Sequence, residues 1–489
     1  MLLPVLITEV FLALILTDTV CSVRKTGKIS GWSEKLSKIM LLFVPLYSTN
    51  FDNDTYWMIA VGRNLIKYGH DGIDRINFYS FHSIAQQHTL DIIFAWLDKW
   101  GGRFAVVGFT IFCCYLGEIF VYRMMKRRIS APGIATYTAI ALLEPYMTTR
   151  ALCFSSMLLI AEFIILDDYA HYGRNRLFII PLISLVFINI HMALWPMQIV
   201  FLGTFIAEWI IRRLRKKEEC FRILPILGLI PLMLGASFLN PYGLEGFLYP
   251  FGTYTHDISF ITELHSSFQT HPIFIMPLLT VTIYIFASKD VLHRISFSSA
   301  SGFAGTFLMA AKNLRHISLT PVAASSIVSE TLRGYPLGEA SHFEKRAAQI
   351  LPTIICAGAI IYIGGFSHYL TVSKYKGAFD YLKAQNEEIR PYTSLNTGGY
   401  AAYRGIKGYM DARTEPHYKN YNHQFDWFNE YLDVYYGRKP ISGLIRKYHF
   451  NYVVLDKSTT YEKRYFKVHP WTASCVYHDE NAEVWRVTE

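Results

Sequence analysis

Two carboxylates lie one residue apart in the segment Asp52-Asn53-Asp54-Thr55-Tyr56-Trp57, directly after an apolar stretch. Residues spaced i,i+2 do not share one face of a helix, but both can line one cleft where a helix or strand begins. Carboxylates placed in this way can accept a proton from a nucleophile or share a divalent cation. The alternative is a solvated helix cap at a membrane surface, with Asp54 or Thr55 as the N-cap residue.

The elements that must position these carboxylates lie in a polar loop, residues 52–102. The spacing of apolar residues predicts a helix from Asp54 to Lys67. A second stretch, from Thr89 to Trp100, is amphipathic and suited to lie on a membrane surface. A loop that carries two short helices at a membrane face usually shapes a binding or catalytic site.

The composition indicates a membrane protein. Of the 489 residues, 52% are hydrophobic and only 17% are charged, and soluble domains rarely combine these two values. Apolar stretches between Leu2 and Val372 predict about 11–12 transmembrane helices. The formal net charge of +9 is concentrated in short loops, so it reports membrane topology, and no nucleic-acid partner is expected.

The expected fold class is therefore an α-helical polytopic membrane protein with a C-terminal extracytoplasmic α/β domain. Residues 1–36 form an extra N-terminal transmembrane helix with a basic cytoplasmic linker. Residues 37–374 form the main transmembrane domain, which includes the loop 52–102, and residues 375–489 form the soluble domain. The positions of the basic clusters place both the loop and the soluble domain outside the cytoplasm, in a plasma (cytoplasmic) membrane protein.

Several ionisable or amide side chains interrupt or end the apolar stretches on the predicted outer side. They are Arg150, Asn189, His191, Glu263, Lys312, Arg315 and His316. An ionisable group in or beside a bilayer costs several kcal/mol unless it is paired or hydrated, so each residue is a candidate for function. The alternative for each one is a helix-end residue that reaches water.

The C-terminal segment predicts a small α/β domain. Helices are expected at Ala378–Asn386 and Phe425–Tyr435, and the clearest strand is Asn451–Leu455. The Gly-Gly segment Asn396–Tyr400 predicts a turn. The sequence Asp411-Ala412-Arg413 predicts either a buried ion pair, which we favour, or a substrate contact.

The sequence lacks the common nucleotide-binding and hydrolase motifs. It contains no Walker A sequence, no GxGxxG after a strand, no HExxH and no nucleophile elbow. A nucleotide is therefore not expected as cofactor, and a nucleotide sugar is not expected as group donor.

Short motifs along most of the chain resemble those of GT-C glycosyltransferases, a superfamily that includes oligosaccharyltransferase catalytic subunits, protein O-mannosyltransferases and aminoarabinose transferases. The resemblance extends to bacterial multi-spanning proteins of this type. The matching segments are Asp52–Trp57, Ala60–Arg63, Phe78–Phe81, Asn189–His191, Asn240–Gly243, Gly398–Tyr400 and Asp411–Arg413. Two segments depart from the pattern: Asn77-Phe78 stands where relatives have an Asp-Pro step, and His88-Thr89-Leu90 stands where they have a His-Glu-Trp step. The resemblance therefore does not support an assisting role for a second acid at these positions.

The resemblance implies a polyprenyl-phosphate-linked sugar as donor and an acceptor (a glycan, a lipid or a protein) outside the cytoplasm, as in polysaccharide biosynthesis at the cell envelope. Asp54 or Asp52 would be the general base, with Asp54 favoured because it stands at the helix start. The same two carboxylates are candidates to hold Mg²⁺ or Mn²⁺. Candidates for binding the donor phosphate are Arg63, Arg150, His191, Lys312 and Arg315. Further candidates near the site are Asn189, Glu263, His316 and Trp57.

Two other functions remain open. A transporter or flippase for a lipid-linked glycan would use a similar charged cavity, but transporters place their charges near the middle of a span. Arg315 at mid-membrane would favour that function. A non-catalytic scaffold that presents its soluble domain to partners is the third hypothesis.

Overall fold

The computed structural model describes residues 2–215, 221–252, 275–339 and 373–488. Glu263, one of the candidate residues, lies outside these ranges.

The chain divides into two compact units. The first comprises Met1–Asn50 and Val107–Gly365, and we call it the helical unit. The second comprises Phe51–Val106 and Phe366–Glu489, and we call it the loop–tail unit. The polar loop and the C-terminal segment thus fold together.

The helices of the first 340 residues are mostly apolar. They are α1 (Leu2–Thr26), α2 (Gly31–Ser48), α3 (Asn53–Tyr68), α4 (His88–Met125), α5 (Pro132–Leu143), α6 (Ala151–Tyr172), α7 (Ile179–Ile190), α8 (Pro196–Leu214), α9 (Leu224–Ser237), α10 (Leu244–Gly252), α11 (Met276–Ala287), α12 (Phe297–Lys312) and α13 (Pro321–Leu332). Short 3₁₀ segments are Glu144–Tyr146, Met192–Leu194, Lys289–Arg294 and Leu314–Leu319.

Among the described residues, three helical segments are long and apolar enough to cross a membrane. They are Pro4–Thr26, His88–Met125 and Met192–Leu214. Three shorter apolar helices are α7, α9 and α11. The helix α4 is broken at Gly102, whose φ of 59° lies in the left-handed region that glycine adopts at low cost.

Residues 373–488, the C-terminal range that the structure describes, contain six helices and a four-stranded sheet. The helices are α14 (Lys376–Lys383), α15 (Leu395–Tyr403), α16 (Lys419–Asn422), α17 (Trp427–Tyr435), α18 (Ile441–Tyr448) and α19 (Thr460–Val468), with a 3₁₀ segment at Glu415–His417. The strands are β1 (Pro391–Tyr392), β2 (Tyr452–Asp456), β3 (Ala473–His478) and β4 (Ala482–Val487). The sheet order is β1-β2-β4-β3, and only the β1–β2 pair is parallel. The predicted class, a largely helical membrane protein with a small C-terminal α/β domain, is confirmed.

The loop and the tail share one hydrophobic core. Tyr56 of α3 packs against Tyr400 of α15 with ring centroids 4.8 Å apart. The same cluster continues through Phe379 to Tyr452 and Val484 of the sheet. Tyr56 and Tyr452 are 5% and 0% exposed, so the first loop completes the core of the C-terminal domain.

The Gly-Gly segment is not the predicted turn, because residues Leu395–Tyr403 form α15. A Cβ atom on Gly398 would stand 1.7 Å from the carbonyl oxygen of Met410, whereas one on Gly399 would meet nothing nearer than 3.6 Å. Gly398 therefore permits close packing of α15 on the segment that carries Asp411.

This contrast makes a prediction. Gly398→Ala should lower the free energy of unfolding by about 1–3 kcal/mol, because the added methyl group overpacks a backbone contact. Gly399→Ala, the matched control, should stay within about 0.5 kcal/mol of wild type. Thermal or denaturant unfolding of the two variants checks this, and equal stability of both would contradict the packing argument.

Candidate active site

The helix α3 begins at the acidic segment. Asp52 is its N-cap residue, and the Asp52 side chain accepts a hydrogen bond of 2.9 Å from the backbone N–H of Asp54. The predicted cap at Asp54 or Thr55 is therefore wrong by two or three residues. Asp54 instead lies in the first turn of α3, and both aspartates are half-buried.

Arg63 lies later on α3 and is held by two neighbours. Its Nη2 donates to Asp98 Oδ2 at 2.8 Å, and its Nη1 donates to the carbonyl oxygen of Tyr403 at 2.7 Å. The preceding Gly62 allows α3 to approach α4, since a Cβ there would lie 2.0 Å from the carbonyl oxygen of Asp91. Arg63 thus already has a carboxylate partner.

Arg413 organises a buried polar cluster. Its Nε and Nη2 donate to the two carboxylate oxygens of Asp411 at 2.9 and 2.8 Å. Nη1 donates to Asp74 Oδ2, and Nη2 also donates to Asn77 Oδ1 at 3.0 Å. The predicted Asp411–Arg413 ion pair is confirmed. Asn77, a departure from the GT-C pattern, also donates from its Nδ2 to the carbonyl oxygen of Tyr409 at 3.3 Å, a bond that a carboxylate cannot make.

The cluster is ionised in the fold. Burial by itself raises the pKa of Asp411, but the Arg413 guanidinium and its hydrogen bonds outweigh burial and hold that pKa well below its ordinary value. His417 Nε2 lies 3.4 Å from Asp411 Oδ2. Burial raises the pKa of Tyr79 well above its ordinary value, so Tyr79 stays a donor, and its hydroxyl donates to the Tyr409 carbonyl at 2.7 Å.

Trp57 and Asp91 adjoin this cluster. The Arg413 guanidinium carbon lies 5.8 Å from the centroid of the Trp57 ring, and Arg413 also acts electrostatically on Asp91. Asp91 is 0% exposed, and neither of its carboxylate oxygens has a hydrogen-bond partner among the described residues.

Arg103 stands next to the break in α4. Its guanidinium carbon lies 5.2 Å from the ring centroid of Tyr56, 5.7 Å from that of Phe51 and 5.8 Å from that of Tyr403. Its Nη1 is buried and has no hydrogen-bond partner in the part of the chain that the structure describes. Phe51 directly precedes Asp52, so this donor lies at the start of the acidic segment.

Within the helical unit, three predicted phosphate-binding residues lie about the N-terminal end of α6. Arg150 is the N-cap residue of α6. His191 is 3% exposed, and its Nδ1 shares a hydrogen bond of 2.7 Å with Ser155 Oγ, in the second turn of α6. Arg315 is close enough to act electrostatically on His191. A helix N-terminus with such side chains is suited to an anion.

The remaining candidates of the helical unit lie at helix ends. Lys312 is the last residue of α12, and Arg315 lies in the 3₁₀ segment between α12 and α13. Lys312 and Arg315 both act electrostatically on His316, whose Nδ1 lies 3.2 Å from the carbonyl oxygen of Met309. Asn189 Nδ2 donates to the carbonyl oxygen of Leu239 at 3.0 Å. These side chains therefore contact neighbouring segments of the chain near helix ends.

The candidates therefore fall into two groups, one in each unit. Asp52, Asp54, Trp57 and Arg63 belong to the loop–tail unit, and the other described candidates belong to the helical unit. Sequence reasoning missed four polar residues of the loop–tail unit: Asp74, Asp91, Arg103 and His417. Only Arg103 carried a usable local signal, because it is a cation that follows Gly101-Gly102 at the head of an apolar stretch.

The residues near Asp52 and Asp54 limit which metal ion this pair could hold. Among the described residues, neither Asp52 nor Asp54 belongs to a group of three His, Cys, Asp or Glu ligand atoms within 4.8 Å of one another. A closed zinc-type site is thus not formed there. Mg²⁺ needs less from the protein, since one or two carboxylates, water and substrate phosphate complete its shell, and the pair fits that requirement.

Solved structures resemble this chain in fold. ArnT from Cupriavidus metallidurans bound to undecaprenyl phosphate aligns over 91% of this chain and 96% of its own, with a TM-score of 0.50 and 11% identity. An oligosaccharyltransferase from Archaeoglobus fulgidus in the apo form covers 92% of this chain and 69% of its own, with a TM-score of 0.47 and 10% identity. Its complex with Zn and sulfate has a TM-score of 0.46 and 11% identity, over 92% and 73% of the two chains.

No protein-family model and no curated protein matches the sequence. The similarity to ArnT extends over nearly the full length of both chains, and at this identity it concerns the architecture. At the level of the fold, this chain is similar to ArnT, in agreement with the resemblance of its sequence motifs to those of GT-C glycosyltransferases.

Proposed function

We propose that the protein is a membrane glycosyltransferase that moves a sugar from a polyprenyl-phosphate-linked donor to an acceptor outside the cytoplasm. Asp54 is the general base that takes the proton of the acceptor hydroxyl as the hydroxyl oxygen attacks the anomeric carbon. The polyprenyl phosphate leaves with the electron pair of the broken bond. The observation that carries the proposal is the pair of half-buried aspartates at the start of α3 in a GT-C fold.

The arrangement around α3 supports separate roles for the two aspartates. Asp52 fixes the start of the helix by capping it, and this cap orients the first turn, in which Asp54 lies. The shared core of Tyr56 and Tyr400 holds that turn against the tail. A base on a rigid element suits catalysis, because a small misplacement of the reacting groups costs much of the rate.

Stabilisation of the departing phosphate needs cations or hydrogen-bond donors. The guanidinium groups of Arg150 and Arg315 and the helix dipole at the start of α6 support this role within the helical unit, and His191 is a polar neighbour of both. Lys312 belongs to the same proposal as a neighbour of His316. In the loop–tail unit we add Arg103, because its Nη1 has no partner among the described residues, whereas Arg63 is paired with Asp98.

A divalent cation such as Mg²⁺ or Mn²⁺ would be held by Asp52 and Asp54, and it would supply positive charge to the leaving phosphate. EDTA treatment of the purified protein tests this part of the proposal. Loss of transfer that Mg²⁺ or Mn²⁺ restores assigns the metal to the reaction. Transfer that EDTA leaves unchanged removes the metal from the mechanism and keeps the aspartate base.

The test of function is a transfer assay with the full-length protein in nanodiscs. A panel of synthetic polyprenyl-phosphate sugars is supplied with candidate acceptors, and the release of polyprenyl phosphate is measured by mass spectrometry. We expect release with at least one donor. Binding of a lipid-linked glycan without release from any member of the panel would contradict the transferase and favour a transporter or a scaffold.

Arg103→Gln should lower transfer by about 10- to 100-fold, because a charge-assisted hydrogen bond to phosphate contributes about 1.5–3 kcal/mol. Arg103→Lys keeps the charge but not the planar fork of donors, so it should recover only part of the loss. Arg75→Gln is the control, since Arg75 has an exposed carboxylate partner, Asp71, in the same loop. An Arg103→Gln enzyme with wild-type kinetics and an unchanged KM for the donor would exclude this role.

A further inference from the structure

A second polar cluster lies at the C-terminal end of α6, the end opposite to Arg150. The helix α6 is largely apolar, yet it carries two acidic residues, Asp167 and Asp168, that are both 0% exposed. The helix has 22 residues and is therefore about 33 Å long. Arg150 caps its other end, so the cluster belongs to a different part of the helical unit.

The cluster is built around His171. Its Nδ1 lies 2.7 Å from Asp167 Oδ1, and its Nε2 lies 2.8 Å from Glu208 Oε1 of α8. Arg128 donates from Nε to Asp168 Oδ1 at 2.8 Å, and it also donates to Asp167. The ends of α6 and α8 and the residues that follow α4 are thus joined by buried charges.

Three side chains of this cluster have the composition of a metal-binding set. Asp167, His171 and Glu330 each offer one ligand atom, and these atoms lie within 4.8 Å of one another. Asp167 and His171 are spaced i,i+4 on one face of α6, and Glu330 comes from α13. One imidazole and two carboxylates are ligands that zinc accepts, with water in the fourth position.

The surrounding contacts are those that orient metal ligands. A ligating histidine usually donates its other ring N–H to a carboxylate, and the Nε2 contact of His171 with Glu208 fits this pattern. Glu330 accepts from the backbone N–H of Ser296 at 3.0 Å and from Ser299 Oγ at 3.1 Å. The carboxylates are therefore held in place by donors outside the ligand set.

Two further features of the cluster concern its charge. Asp168 Oδ2 is buried and has no hydrogen-bond partner among the described residues. The cluster contains four carboxylates, those of Asp167, Asp168, Glu208 and Glu330. Against them stand three guanidinium groups, which belong to Arg128, Arg174 and Arg212. His171 supplies the fourth positive charge when it is protonated, and a divalent ion would take the place of its Nδ1 proton.

We propose that Asp167, His171 and Glu330 form a divalent-cation site of the zinc class that joins α6 to α13, with Glu208 orienting the histidine. The site is independent of the glycosyl-transfer proposal. The ion would reinforce a connection between α6 and α13 that the hydrogen bond from Ser326 Oγ to Asp167 Oδ2 already makes at 3.0 Å, and so it would stabilise the helical unit.

The test uses the full-length protein in detergent, stripped with EDTA, dialysed and titrated with Zn²⁺. We expect elemental analysis to find about one bound ion per chain and thermal unfolding to shift upward on Zn²⁺ addition. His171→Gln and Glu330→Gln should each reduce the affinity for Zn²⁺ at least about 10-fold and remove the thermal shift. His293→Gln, at an exposed histidine of the same unit, should bind Zn²⁺ like wild type.

Glu208→Gln provides a variant that keeps all three ligands. It should weaken Zn²⁺ binding by about 10- to 100-fold, because the histidine loses the carboxylate that orients it. Wild-type protein without Zn²⁺ above the dialysis buffer, or a His171→Gln protein with wild-type Zn²⁺ content, would overturn the proposal and leave a buried ion-pair network. Both readouts are independent of sugar transfer, so neither depends on the proposed activity.

Discussion

We expect Asp54→Asn to lower the rate of sugar transfer by about 10²- to 10⁴-fold, the usual contribution of a general base. The substitution keeps the size of the side chain and removes its capacity to accept a proton. The cap of α3 should survive, because it uses the Asp52 side chain and the backbone N–H of residue 54. Single-turnover transfer with saturating donor measures the chemical step, and thermal unfolding confirms that the variant is folded.

Asp52→Asn separates capping from catalysis. Asparagine is as good an N-cap residue as aspartate, so α3 should start at the same place while the negative charge is lost. With Asp54 as the base, Asp52→Asn should reduce transfer less than Asp54→Asn does. The reverse order would assign the base role to Asp52.

A matched control comes from the same loop. Asp71 is largely exposed and pairs with Arg75, and an exposed pair contributes about 0–1 kcal/mol. Asp71→Asn should therefore transfer sugar at the wild-type rate. If both α3 variants also kept the wild-type rate, the general-base assignment would be wrong.

The sequence predicted the elements that are defined by local patterns. The helices α3 and α17 and the strand β2 lie within about two residues of their predicted bounds, because their apolar periodicity is set by neighbours along the chain. The N-cap of α3 was misplaced because both aspartates can cap, and the choice depends on which carboxylate meets a free N–H. The Gly-Gly segment was misread because its glycine is required by a contact with Met410, a residue of another segment.

Most of the buried polar cluster of the loop–tail unit could not be predicted from the sequence. Arg413 and Asp74 are separated by 339 positions, and no local spacing indicates such a pair. Asp74 stands in a turn-rich stretch where an aspartate is ordinary. Asp91 occupies an amphipathic helix on which an acidic residue normally faces water, yet packing of α4 on Gly62 buries it. Tertiary contacts, and not local pattern, give these residues their roles.

The second large effect that we expect is a loss of stability on substitution of Arg413, at the centre of that cluster. Arg413→Gln should lower the free energy of unfolding by about 3–5 kcal/mol, because it leaves the carboxylates of Asp74 and Asp411 buried without their cation. Denaturant unfolding in detergent measures the loss. Hydrogen exchange of peptides that cover 69–83 and 405–420 should show that the opening begins in the loop–tail unit.

The exposed pair of Arg438 with Asp433 provides the control. Arg438 is 66% exposed and its Nη1 lies 3.6 Å from the carboxylate, so Arg438→Gln should cost about 0–1 kcal/mol. Equal losses in Arg438→Gln and Arg413→Gln would mean that burial adds nothing to the ion pair, which would contradict the expected 3–5 kcal/mol.

Arg413→Gln should also reverse the direction in which the stability contributed by this cluster depends on pH. In the wild type, the depressed pKa of Asp411 contributes stability that is fully present above the unfolded pKa of about 4 and is lost as the pH falls below it. In Arg413→Gln, burial dominates and raises the pKa of Asp411, so the contribution of Asp411 favours folding at acid pH and is lost as the pH rises. With increasing pH, the contribution of Asp411 to the unfolding free energy, measured from pH 3 to pH 8, should therefore rise below about pH 4 in the wild type and fall above about pH 4 in Arg413→Gln. Parallel slopes would show that the Arg413 guanidinium does not hold Asp411 in its ionised form.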